Sequence, residues 1–109
     1  MVYLDQGTDI GHGWKRAGWF GEYFSVFIPW IYHFDLGWLF VEQKSGFDIW
    51  FYHENLHWVW TSSEFFPFLY LMDYNKWIYV ELGSTPTVFY EFESQKWFKL
   101  NSDFVLSKE

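Results

Sequence analysis

The segment Trp50-Phe51-Tyr52-His53-Glu54-Asn55-Leu56-His57-Trp58-Val59-Trp60 holds two runs of strand-favouring residues around a short polar tip. Aromatic and β-branched side chains fit a pleated surface better than a helix. Asn55 supplies turn chemistry at the centre of the tip. The segment therefore reads as a β-hairpin.

The same plan recurs on both sides. Upstream stands Trp30-Ile31-Tyr32 … Trp38-Leu39-Phe40, around the tip His33-Phe34-Asp35-Leu36-Gly37. Downstream come Phe68-Leu69-Tyr70 … Trp77-Ile78-Tyr79 and Val88-Phe89-Tyr90 … Trp97-Phe98-Lys99, with Asp73 and Ser94 in their tips. A degenerate first copy is read as Gly13-Trp14-Lys15 … Trp19-Phe20-Gly21. Trp19, Trp38, Trp58, Trp77 and Trp97 are then spaced by 19, 20, 19 and 20 residues. Such self-similarity is the mark of a repeat architecture.

The expectation is an all-β single domain: an array of about five short β-hairpins with a period of 19–20 residues, at about 11–26, 29–42, 48–61, 67–81 and 87–100. Residues 101–109 read as a C-terminal cap or tail. Gly, Pro, Asn and Asp recur too often for a helix. Both alternations of each strand are apolar: Trp30 and Tyr32 against Ile31, Trp50 and Tyr52 against Phe51. Strands of this kind are normally covered on both faces. The hairpins must stack into a solenoid, curl into a closed or sandwiched antiparallel sheet, or leave one face as a binding surface.

Aromatic residues make up 28% of the 109 residues, which excludes disorder. The net charge of −7 speaks against nucleic acid as a partner, because a nucleic-acid face needs clustered cations. With no cysteine, disulfides and thiolate metal sites are absent. No apolar run is long enough for a transmembrane segment. The first residues have neither a charged leader nor an apolar core, so any export signal would lie outside this sequence.

His53-Glu54-Asn55-Leu56-His57 matches H-E-x-x-H, which on a helix aims two imidazoles at one zinc. Here it aligns with a hairpin tip, so no metal is expected, nor any other cofactor. His33 and His53 occupy the same repeat position, which points to a structural role. No Ser-His-Asp set is readable, and nothing selects a carboxylate pair for glycoside hydrolysis. No catalytic residue is assigned and the chain is not expected to be an enzyme. The acids read as a solvated rim that keeps a ring-rich protein soluble.

Gly37-Trp38-Leu39-Phe40 followed by Trp50-Phe51-Tyr52 resembles the aromatic hairpin repeats of bacterial cell-wall-binding modules of the choline- and glucan-binding type. It is also similar to Trp/Tyr-rich repeats at the C-termini of large exported bacterial proteins. In later copies His57, Lys76 and Lys96 are read at the place of the Gly. The resemblance implies a non-catalytic module at the cell surface or outside the cell. By it, ligand would sit between successive hairpins, boxed by Trp30, Tyr32 and Trp38 of one copy and Trp50, Tyr52 and Trp58 of the next. The partner would be a glycan or cell-envelope polymer. The alternative is a structural tether that binds another protein, or a homo-oligomer joined through open strand edges. The same rings could instead be core.

Overall fold

The computed structural model describes residues 7–43 and 45–100. They form one open antiparallel sheet of eleven strands, arranged in chain order as a continuous meander. The strands are β1 Thr8–Gly11, β2 Trp14–Ala17, β3 Gly21–Phe27, β4 Trp30–His33, β5 Gly37–Glu42, β6 Asp48–His53, β7 His57–Ser62, β8 Phe68–Leu71, β9 Lys76–Val80, β10 Val88–Glu91 and β11 Lys96–Lys99. The sheet is thus a curled hairpin array with an additional N-terminal strand. No helix among the described residues is long and apolar enough to cross a membrane. The expected tail at 101–109 lies outside the described residues.

Only one face of the sheet is core. Ile31, Leu39, Phe51, Val59, Leu69, Ile78 and Phe89 are fully buried. They are the middle residues of the apolar triplets, and period-two alternation sends them all to one side. A single sheet can hide one face from water only by coiling round it. The coil is visible in contacts between distant segments: Phe20 packs on Phe51 and Phe66, at ring separations of 6.4 and 5.2 Å. Tip residues Phe20, Leu36, Leu56 and Tyr74 fold inward and complete the core. Each fully buried apolar side chain contributes about 1.5–3 kcal/mol, so this inner row carries most of the stability.

Hydrogen bonds close the coil. The Gly83 amide donates to Asp35 Oδ1 at 2.7 Å, and Thr87 Oγ1 donates to the Asp35 carbonyl at 2.7 Å. In the β2–β3 tip, Trp19 Nε1 donates to the Gly46 carbonyl at 3.4 Å, and the Trp19 ring lies 6.0 Å from Phe66. The β4–β5 tip therefore reaches a linker two hairpins further along the chain, and the β2–β3 tip reaches linkers one hairpin on, at Gly46, and two hairpins on, at Phe66.

The first copy is corrected in register. β2 and β3 pair Ala17 with Gly21, as β4 and β5 pair His33 with Gly37. Glu22, not Trp19, is then the counterpart of Trp38. Trp19 falls in the tip because the turn runs from Ala17 to Gly21, and its indole turns toward Phe20 and Phe66. The register keeps His57, Lys76 and Lys96 at the place of Gly37, opposite His53, Leu71 and Glu91, but the left-handed turn residue does not always coincide with it. Gly21, Gly37, His57, Asn75 and Gln95 all have left-handed φ at the entry to the second strand. The two longer tips put that conformation on Asn75 and Gln95, one residue before Lys76 and Lys96.

Candidate functional site: an outer face of aromatic ladders

Cross-strand partners share a face, so the register decides which rings meet. Trp14 pairs with Phe24, Phe24 with Tyr32, and Tyr32 with Trp38. One hairpin on, Trp30 pairs with Phe40, Phe40 with Tyr52, and Tyr52 with Trp58. The next ladder runs Trp50, Trp60, Tyr70, Trp77. The last runs Phe68, Tyr79, Tyr90, Trp97. These are the same four repeat positions taken four times. All sixteen are Trp, Tyr or Phe, and none of them is buried.

Within the ladders the rings meet edge to face or tilted. Trp30 and Phe40 are 5.3 Å apart at 75°, Tyr32 and Trp38 5.4 Å apart at 78°, and Tyr52 and Trp58 5.7 Å apart at 72°. Such pairs add about 0.5–1.5 kcal/mol beyond area burial and hold each ring in place. A ring propped by its neighbours offers contact surface at little entropic cost.

All six residues singled out in the sequence lie on this outer face. Trp30, Tyr32, Trp38 and Tyr52 line one cleft of about 490 Å³, and Trp50 and Trp58 lie outside its lining. The coil completes the cleft: Pro86 and Thr87 of the β9–β10 linker, with Leu100, face the tips that carry Asp35, Glu54 and Asn55. The sequence reading missed these wall residues, because the Asp35–Gly83 contact spans 48 residues of chain. It also missed a second ring cluster, where Phe68, Tyr79, Tyr90, Phe92 and Trp97 surround a hollow of about 330 Å³ with Glu81 at its margin. Its signal was available in the repeat, since its ladder copies the Trp30–Phe40–Tyr52–Trp58 ladder position by position.

The tips are built by buried polar side chains. His33 Nδ1 accepts the amides of Asp35 (3.0 Å) and Leu36 (3.2 Å), which places the ring proton on Nε2, and Nε2–H donates to the Phe20 carbonyl at 2.6 Å. His53 repeats the arrangement with the amides of Asn55 and Leu56 and the Leu36 carbonyl. Burial pushes both imidazoles below their usual pKa, against the pull of the accepting carbonyls and the nearby acids. Glu91 takes the same place in the fifth hairpin, and its carboxylate accepts the Glu93 and Ser94 amides. Burial would raise the Glu91 carboxyl. Its bonds to Glu93 and Ser94, with Lys76 nearby, outweigh that and hold it below the ordinary range.

This geometry also disposes of the H-E-x-x-H match. Both ring nitrogens of His53 are engaged by backbone groups. His57, the first residue of β7 and the cross-strand partner of His53, is engaged elsewhere, stacked on Tyr52 with its Nδ1 2.9 Å from Asp73 Oδ2. Among the described residues no cluster of three metal-ligating side chains occurs. Comparison with known proteins returned no matching family model, no matching curated protein and no matching solved structure.

Proposed function

We propose that this chain is a non-catalytic carbohydrate-binding module that takes a glycan or cell-envelope polymer on its outer aromatic face. One observation carries the reading: sixteen of sixteen ladder positions hold rings that the core does not use. Contiguous exposed apolar surface on a soluble protein marks an interaction site. Flat rings flanked by hydroxyls and carboxylates suit sugars, whose C–H faces stack on the ring while Asp35, Glu54 and Asn55 orient hydroxyls. A location at the cell surface or outside the cell follows from this reading.

Screening the purified protein on a glycan array, with Trp38→Ala/Tyr52→Ala as comparison, is the test. The wild type is expected to retain at least one glycan class, and the double variant to lose it while keeping its β-sheet spectrum. A folded protein that retains no glycan would refute the proposal.

A second reading has its own observation. Phe27, Ile28, Phe47, Phe65 and Leu82 are all exposed in or beside the linkers, at the end of the strands opposite the tips. This apolar rim favours a tether that docks another protein, or a second copy, through the linker end. Concentration-dependent mass in light scattering, abolished by Phe47→Ser/Phe65→Ser, is its expected result.

A further inference from the structure

We infer that the four ladders are successive subsites for one unbranched polysaccharide chain, neutral or amino-bearing, and that the outer face turns anionic polymers away. The inference rests on the carbohydrate-binding reading and specifies its substrate.

Continuity is the first argument. Each ladder spans four strands and shares two of them with the next, so the ring path runs unbroken from β2 to β11. Neighbouring ladders are displaced by one hairpin, about 9–10 Å across the sheet. Equivalent subsites at a regular step suit a ligand that is itself periodic. A small sugar could use one ladder at a time, and the half-exposed rings of one ladder offer it limited contact. A chain that engages several ladders gains from effective concentration without any new kind of contact.

Charge is the second argument. Glu42 stands opposite Trp50 on the outer face, Glu54 lines the large cleft and Glu81 borders the second hollow. The described cations lie elsewhere or are engaged. Lys15, Lys76 and Lys96 occupy inner-face positions opposite Tyr23, Leu71 and Glu91. Arg16 is held by Glu22 at 2.7 Å. Lys99 sits on the terminal strand β11, opposite Val88. A carboxylated or phosphorylated polymer laid across the rings would meet these three carboxylates and that of Asp35 in the cleft, and gain one edge cation.

Affinity electrophoresis tests both arguments, using gels that contain hydroxyethyl cellulose, dextran, or the carboxymethyl derivative of either. Buffer at about 0.3 M salt screens the overall charge of the protein, so that only groups near the ligand act. Retardation is expected in at least one neutral gel and should be on the order of tenfold weaker in its carboxymethyl counterpart. Glu54→Gln/Glu81→Gln should narrow that gap. Trp97→Ala, in the ladder farthest from the large cleft, should weaken retention by the neutral polymer several-fold and leave binding of its disaccharide unchanged. Equal retention by neutral and carboxymethyl polymers would overturn the charge argument. A disaccharide that binds as tightly as the polymer, or retention indifferent to Trp97→Ala, would overturn the successive subsites. No retardation in any gel, together with an empty glycan array, would instead remove the carbohydrate reading on which both depend.

Discussion

Phe51 and Trp58 are near neighbours in one hairpin and do opposite jobs. Phe51 is fully buried on the inner face, whereas Trp58 is only partly buried, in an outer ladder. Phe51→Ala should destabilise by about 3–5 kcal/mol through transfer and cavity terms. Trp58→Ala should cost less, about 1–3 kcal/mol, from the partial burial of its ring together with its edge-to-face pair with Tyr52. Denaturant unfolding followed by circular dichroism measures both; a Trp58→Ala loss as large as that of Phe51→Ala would return the ladder to the core. The histidines give a second prediction at this scale. His33 and His53 have folded pKa values below the unfolded value of about 6.5. Their stabilisation is complete above that value. It declines as pH falls below it, because the unfolded chain takes up protons that the folded tips refuse. The denaturation midpoint should therefore drop between about pH 6.5 and 5, before most carboxylates titrate. His33→Asn/His53→Asn should flatten that slope.

Hairpins are the element that the sequence made legible. Triplets of rings separated by Asn55- or Asp35-type turns identify strands, and their alternation separates inner from outer residues without coordinates. All six proposed ligand residues are outer-face residues for that reason. The first copy departs from the Trp recurrence because turn chemistry prevails there: Gly18 and Gly21 bracket a tip, and Trp19 between them belongs to the turn. Left-handed φ gives the sharper rule. It falls on Gly21 and Gly37 but also on His57, Asn75 and Gln95, where a side chain strains the backbone. Gln95→Gly should relieve that strain and stabilise by roughly 1 kcal/mol. Asn75→Gly should gain less, since the Tyr70 hydroxyl bonds to Asn75 Oδ1. Gly37→Ala should lose about 1 kcal/mol from backbone strain alone, because a Cβ there meets nothing within 4 Å. Thermal melts of the three variants check the ordering, and a destabilised Gln95→Gly would contradict the strain argument.

Coiling is a property of the whole molecule, and nothing local announces it. Period-two alternation shows that one face needs cover, but a second sheet, a helix or the same sheet could provide it. The choice rests on tips meeting linkers two hairpins away, through bonds such as Asp35 with Gly83 and Thr87. These bonds have a consequence for the cleft, since Thr87 and Asp35 both line it. Asp35→Ala should cost about 1 kcal/mol, a low figure for a carboxylate–amide bond because the pair is open to solvent. Thr87→Val should cost a similar amount. Both bonds fasten the same two segments, so once one is lost the other holds less, and the double variant should lose less than the sum. Hydrogen exchange gives the direct readout: the Gly83 amide should exchange faster in Asp35→Ala, while the inner amides of β6 and β7 keep their protection. If the cleft is a glycan site, its affinity should fall with the latch although neither residue is aromatic. A Gly83 amide that exchanges at the wild-type rate in Asp35→Ala would mean that apolar packing alone holds the coil closed.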